Sequence, residues 1–255
     1  MKRIEDFIVI NHKWLNYSSF IIELEAPHTL PVIEPGNFAE IEVPNSPKVF
    51  LRRPFSIYDV NTASNSLSFF VKVIGEGTRL LGETKKGDKL NLIYPLGNTF
   101  TRPVKGRILV VAGGSGIAPF ILYGKSLQNN GTEITFLFGA RSADDIVLTD
   151  QFKALGNVLI TTEDGSHGEK GLVTQHSMFS DKKLPFDHIV TCGPEPMMKA
   201  VAKIALESNI PCEASLENTM ACGFGACLCC ITPTNNGNKS VCTEGPVFNV
   251  KDLRW

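Results

Sequence analysis

The stretch RILVVAGGSGIAP, Arg107 to Pro119, sets the fold of the second half of the chain. Ile108 to Ala112 form a short continuous apolar run, the pattern of a strand buried on both faces. Gly113, Gly114, Ser115 and Gly116 then turn the chain, and Pro119 falls in the first turn of a helix expected over FILYGKSLQNN, which stops before Gly131. Strand, glycine turn and helix start make a cradle for phosphate, because backbone N–H groups at a helix start face an anion there. A single glycine turn is weak evidence. Here the pattern repeats: EITFLFGAR (133–141), NVLITTED (157–164) and DHIVTCG (187–193) each read as a further buried strand, with helical stretches between. The alternation predicts a doubly wound parallel α/β sheet. Ligands on such sheets lie beyond the carboxyl ends of the strands, where Gly113–Pro119, Arg141, Thr161–Gly165 and Cys192–Pro196 fall. Met197, Met198, Val201 and Ile204 recur at helical spacing and read as core.

The first hundred residues have a different period. FIVINHKWL, SSFIIELEA, NFAEIEVP, LRRPFSIYDV, SLSFFVKVI and DKLNLIYPL are short, rich in β-branched and aromatic residues, and separated by Pro, Gly and Asn. Six such segments suggest a small antiparallel β-barrel. Within it Arg52 and Arg53 interrupt an apolar segment, and arginine suits bidentate phosphate contacts. Gly75-Glu76-Gly77-Thr78 opens an expected helix, GTRLLGETKKG, with a second anion-friendly start. Solvated edge-strand charge is the plainer reading of the arginines alone; the two features together favour a dinucleotide.

Composition narrows the partners. A chain of 255 residues with 25 basic and 26 acidic side chains has no global field for nucleic acid or an anionic membrane. No stretch is long enough to span a bilayer. The opening MKRIEDFIVINHKW lacks the apolar core of a signal peptide, so a reducing cytoplasm is expected, where clustered thiols are metal ligands or redox groups. Four of seven cysteines fall in MACGFGACLCC, Met220 to Cys230. Cys222-x4-Cys227-x2-Cys230, followed after eleven residues by Cys242, has the plant-type order for a [2Fe–2S] cluster. A zinc ribbon would need a second C-x2-C knuckle, and zinc stays the alternative. Gly223 and Gly225 permit a tight loop with N–H groups near sulfide. ITPTNNGNKSV reads as a polar hairpin that folds Cys242 back, and Cys229 is a bystander.

These motifs carry a resemblance. RPFS, GEGT, GGSGIAP, GARS and TCGPEPMM, in this order, resemble the ferredoxin–NADP reductase superfamily, a flavin-binding barrel followed by a nicotinamide-binding α/β domain. SLENTMACGFGACLCC…VCTEGPVF resembles a narrower group, the electron-transfer subunits of class 1B dihydroorotate dehydrogenase. The resemblance implies an FAD barrel over 1–100, an NAD-binding domain over 101–210 and a [2Fe–2S] segment over 211–255. It implies that Arg53, Pro54, Phe55 and Ser56 hold FAD, with Phe70, Val71 and Lys72 along the flavin and Gly77 and Thr78 at its pyrophosphate. Gly114, Ser115, Gly116 and Pro119 match the nicotinamide dinucleotide turn, with Cys192, Gly193 and Pro194 near the ring. Cys222, Cys227, Cys230 and Cys242 match the cluster ligands. No side-chain nucleophile is implied. The implied partner is an FMN-containing dihydroorotate dehydrogenase catalytic subunit, two of each chain, with electrons passing through [2Fe–2S] and FAD to NAD+ in pyrimidine biosynthesis. A flavin and iron–sulfur subunit of another NAD(P)H:ferredoxin or sulfhydrogenase complex shares the motifs. Asp144, Asp145, Glu163 and Asp164 make the surroundings of Arg141 acidic, which favours NAD over NADP.

Overall fold

A computed structural model describes residues 2–44, 48–180 and 183–255. The amino-terminal sheet contains β1 (Arg3–Asn16), β2 (Ser19–Glu25), β3 (Phe38–Ile41), β4 (Arg53–Ser56), β5 (Asp59–Asn61), β6 (Ser66–Lys72) and β7 (Lys89–Leu96). Their order is β4-β3-β7-β1-β2-β6-β5, with every pairing antiparallel. The single strand expected over LRRPFSIYDV is two strands, β4 and β5, on opposite edges of this sheet. Three Cα steps separate Ser56 from Asp59, a reach of at most about 11 Å. Six strand spacings in a flat sheet would put the edges about 29 Å apart. The sheet therefore has to curl into a barrel. Ile57 N–H donates to Asn37 O (3.0 Å), just before β3, and Tyr58 N–H to Ser68 O (2.9 Å) on β6, so the two-residue link is tied beside the strand next to each edge. Phe7, Phe20, Ile22, Leu24, Leu67, Phe69 and Tyr94 fill the interior. Helix α1 (Glu76–Gly82) covers one end.

The second sheet begins with β8 (Gly106–Gly113), β9 (Thr132–Ala140), β10 (Asn157–Thr162), β11 (Glu169–Lys170), β12 (His188–Cys192) and β13 (Cys212–Ser215). A hairpin of β14 (Ile231–Thr234) and β15 (Gly237–Ser240) follows, and β16 (Val247–Asn249) ends the strands. The order β11-β10-β9-β8-β12-β13-β16 is parallel except at β13/β16. Chain direction across the sheet reverses between β8 and β12, the topological switch point at which ligands bind on such sheets. Ile108, Val110 and Ala112 pack against α2 (Phe120–Ser126) and α3 (Thr149–Lys153). Leu109 and Val111 pack on the other face against Met198, Val201, Ala202 and Ala205 of α4 (Glu195–Glu207), so the sheet is wound on both faces.

Two expectations change here. The helix after the glycine turn is shorter than FILYGKSLQNN: a 3-10 turn, Gly114–Ile117, precedes it, and Asn129 at φ 65° lies beyond its end. The α/β sheet also crosses the boundary expected at residue 210, because β13 and β16 both come from the carboxyl-terminal segment. The barrel is tied to the α/β unit by Lys72 Nζ to Asp145 Oδ1 (2.7 Å), Lys125 Nζ to Asp59 Oδ2 (2.5 Å) and Tyr58 OH to Gln151 Oε1 (2.5 Å). Among the described residues no helix is long and apolar enough to cross a membrane.

Candidate cofactor sites

A cleft of about 280 Å³ lies between the two sheets. Strand β4 sends Arg53, Pro54, Phe55 and Ser56 to it, β6 sends Phe70 and Lys72, the turn before α1 sends Ile74, and the first turn of α1 sends Thr78. Val71 does not reach it. Strand alternation turns that side chain into the barrel core, where it is buried, which corrects its expected place beside a ligand. The two arginines also part company. Arg52 donates to Asn91 O (2.9 Å), Asn91 Oδ1 (2.6 Å) and Glu42 Oε2 (2.9 Å), a structural set of bonds. Arg53 bonds locally to Leu51 O (2.7 Å) and keeps its guanidinium against the first turn of α1, where a Cβ on Gly77 would come within 3.1 Å of Nε. Thr78 Oγ1 accepts from Ile74 N–H (2.9 Å) and Gly75 N–H (3.2 Å), so its hydroxyl shapes the turn. An arginine converging with helix-start N–H groups suits phosphate, and the aromatic and apolar walls suit a flat ring.

Across the cleft, Ser115 and Ala118 belong to the turn after β8. This turn and the one after β12 interlock. A Cβ on Gly116 would fall 2.2 Å from Cys192 O, and one on Gly193, at φ 141°, would fall 2.8 Å from Gly113 O. Only glycine lets the two backbones approach this closely. Pro119 caps α2 and is not among the residues that line the cleft. Gly193 and Pro194 open onto a neighbouring cavity of about 530 Å³, which shares Leu216, Glu217 and Asn218 with the first. Cys192 is buried, with Sγ 3.7 Å from Glu217 Oε1. Burial and the adjacent carboxylate push its thiol well up, so it stays protonated. Glu217 is raised as well, mainly by the protein crowding it, although solvent enters the cleft at this point. The residue-by-residue sequence reading missed Glu217; only its place in the SLEN segment pointed to this area.

The cysteines come in two pairs. Burial raises the Cys222 thiol, but N–H groups of Phe224, Cys227 and Ala226 and the Cys227 side chain outweigh it and bring the group down to about 6. Cys242, on the short α5 (Val241–Glu244), gives its N–H to Cys230 Sγ (3.4 Å) and is pushed up to about 12 by burial and by Cys230. Among the described residues no three His, Cys, Asp or Glu side chains converge on one point as a single ion requires. Two cysteine pairs fit a two-iron cluster, in which each iron takes two protein ligands, better than one tetrahedral zinc. The asparagine turn folds Cys242 back as expected, with Thr234 opposite Gly237 in the hairpin. Cys229 points elsewhere, its Sγ 3.7 Å from Thr219 O. Beneath the loop lies Glu40 of β3, fully buried, with neither carboxylate oxygen bonded among the described residues. A Cβ on Gly223 would reach within 2.7 Å of its Cγ.

Residues 110–203 match the oxidoreductase NAD-binding domain family. Residues 217–254 match the iron–sulfur cluster binding domain of dihydroorotate dehydrogenase B. The fold is similar to the solved NADH-dependent reduced ferredoxin-NADP oxidoreductase, at TM-score 0.88 and 29% identity over 98% of this chain and 90% of that one. It is also similar to the ferredoxin reductase of carbazole 1,9a-dioxygenase, at TM-score 0.71 and 20% identity over 82% and 67%. Barrel, switch-point turns and cysteine pairs thus define a reductase-type oxidoreductase with an iron–sulfur segment. Among curated sequences the chain is 39% identical to the dihydroorotate dehydrogenase B (NAD(+)) electron transfer subunit of Clostridium perfringens over 93% of this chain and 92% of that protein. It is 34% identical to that of Desulforamulus reducens over the whole of both. The chain belongs to the family of dihydroorotate dehydrogenase B electron transfer subunits.

Proposed function

We propose that the cleft between the sheets holds FAD, that the interlocked turns after β8 and β12 hold NAD(H), and that Cys222, Cys227, Cys230 and Cys242 hold a [2Fe–2S] cluster. The chain would then carry electrons from a catalytic subunit to NAD+. The observation that carries this reading is that one cleft is bounded by Arg53 and Ser56 on one wall, by Ser115 on the opposite wall, and by Leu216, Met220 and Pro246 of the cluster segment. A flavin placed there supplies the exchange between one-electron and hydride chemistry that cluster and nicotinamide each lack. The protein's part is positional. Arg53 and the start of α1 neutralise phosphate, and Phe38 and Phe70 wall the ring site. The Gly116–Cys192 contact fixes where a second dinucleotide lies.

The partner we propose is an FMN-containing dihydroorotate dehydrogenase catalytic subunit, two of each chain, in the cytoplasm. Phe224 and Leu228 stand exposed on the cluster loop, which supports docking at that face. NAD is favoured over NADP, because Asp144, Asp145, Glu163 and Asp164 surround the strand ends where a 2′-phosphate would need cations. The likeness to the NADH-dependent ferredoxin-NADP oxidoreductase supports a second reading, a flavin and iron–sulfur subunit of a ferredoxin-type complex. Co-purification with a catalytic subunit tests the first. Flavin bands, a broad red shoulder, NADH-preferring reduction and a stable complex that oxidises dihydroorotate are expected. A loaded chain that never associates with such a subunit would leave the second reading standing.

A further inference from the structure

Asn98, just beyond the end of β7, is the point at which barrel, cluster segment and α/β sheet meet. Its backbone N–H donates to Gly245 O (2.6 Å). Its side-chain Nδ2 donates to Glu244 O (3.0 Å) and Val247 O (2.8 Å), and Oδ1 accepts from Val247 N–H (2.9 Å). The amide is thus fully engaged on one four-residue turn nearly 150 positions away. That turn has Cys242 two residues before it and runs on into β16, which pairs with β13. Pro246, inside the turn, lines the cleft together with Phe38 and Met220. Contact is tight here: Gly97, at φ 77°, has no room for a Cβ, which would sit 2.5 Å from Pro246 Cδ. Leu216 N–H donates to Pro246 O (2.9 Å) from the other side.

We propose that Asn98 is a positioning residue for electron transfer, whose amide fixes the turn that follows Cys242 against the ring end of the cleft and so sets the spacing between the two redox sites. The inference rests on reading the cleft as the flavin site and the four cysteines as cluster ligands. Three side-chain bonds and one backbone bond to one turn leave it little freedom to drift, and electron transfer slows as the distance between donor and acceptor grows.

The test uses the FAD- and cluster-loaded protein with NADH in a stopped-flow instrument. Hydride transfer moves two electrons and a proton from NADH to the flavin, and one electron then passes from the reduced flavin to the oxidised cluster. In Asn98→Ala, flavin and iron contents and the rate of flavin bleaching are expected to match wild type. Cluster reduction, followed by its EPR signal after rapid freezing, is expected to lag severalfold. Hydrogen exchange at residues 245–249 is expected to quicken, with 106–113 unchanged. Asn98→Asp, which keeps the volume and loses both side-chain donor bonds, should lag as well and serves if the alanine variant fails to load. Thr101→Val breaks a different barrel-to-sheet tie, Thr101 Oγ1 to Glu213 Oε1 (2.8 Å), and should lower stability without a lag. Loaded Asn98 variants with no lag, or an equal lag in Thr101→Val, would overturn the proposal. Wild-type protein that binds no flavin or no cluster would overturn the underlying reading instead.

Discussion

The turn after β8 and the loop from Met220 to Cys230 are both glycine-rich, but they use glycine for different reasons. Gly116 is wedged against Cys192 O, and Gly193 against Gly113 O, between strands that are themselves hydrogen-bonded. Glycine there provides closeness, and the pocket is formed by the chain itself. In the cysteine loop Gly223 (φ 73°), Gly225 (φ 90°) and even Leu228 (φ 57°) take left-handed conformations, while Phe224 and Leu228 are exposed. Glycine there provides curvature, and the loop has no regular secondary structure. A preformed pocket keeps its shape without a ligand; a curved loop of thiols takes much of its order from what the thiols bind.

Removing a buried thiol should expose this contrast most sharply. In Cys230→Ser, bound iron and the red shoulder are expected to vanish and exchange over 220–230 to rise steeply, while NADH still reduces the flavin. An intact cluster in that variant would break the comparison. Next in size is the split between the arginines. Arg53→Ala should weaken FAD binding about ten- to a hundredfold, the value of a charge-assisted bond of about 1.5–3 kcal/mol, as read by flavin fluorescence titration. Arg52→Ala should lower stability and leave FAD affinity within about threefold of wild type.

A smaller effect concerns the floor beneath the loop. Burial raises Glu40 to about 7, with Arg52 opposing and Cys222 adding to the shift. The folded chain then holds this proton more tightly than the unfolded chain, whose carboxyl titrates near 4.5. Its contribution is therefore full below pH 4.5 and lost as pH rises to 7. Glu40→Gln should remove that decline, with a gain of the order of 2 kcal/mol at pH 7.5 over wild type in denaturant titrations. Equal pH profiles for the two proteins would remove Glu40 from the account. The smallest effect is expected at Cys229→Ser, which should leave iron content and spectrum unchanged; a lost red shoulder would redraw the ligand set.

How much of this was legible in the sequence depended on range. The apolar run from Ile108 to Ala112 and the glycines after it are local signals, and the strand and turn lie where they point. Cysteine spacing pointed to the four thiols but not to their pairing, which the fold supplies by bringing Cys222 to Cys227 and Cys242 to Cys230. The two fates of LRRPFSIYDV were not legible, because barrel closure separates β4 from β5 and no local period records closure. Arg52 and Arg53 are neighbours of one type, and only the position of Asn91 on β7 distinguishes them. Val71 was carried over with its motif, whereas strand alternation turns it inward. Glu40, Asn98 and Glu217 are ordinary polar residues whose importance comes from chain segments far away.

The return of the chain into β16 makes the cluster segment a selvedge for the nicotinamide sheet. Glu213, Ala214 and Ser215 on β13 pair with Asn249, Phe248 and Val247. Trimming the chain at Ser215 to obtain a simple flavin reductase would leave that strand with bare N–H and C=O groups and uncovered apolar neighbours, a template for edge-to-edge association. Loss of the iron–sulfur segment should therefore be read in solubility before it is read in electron transfer.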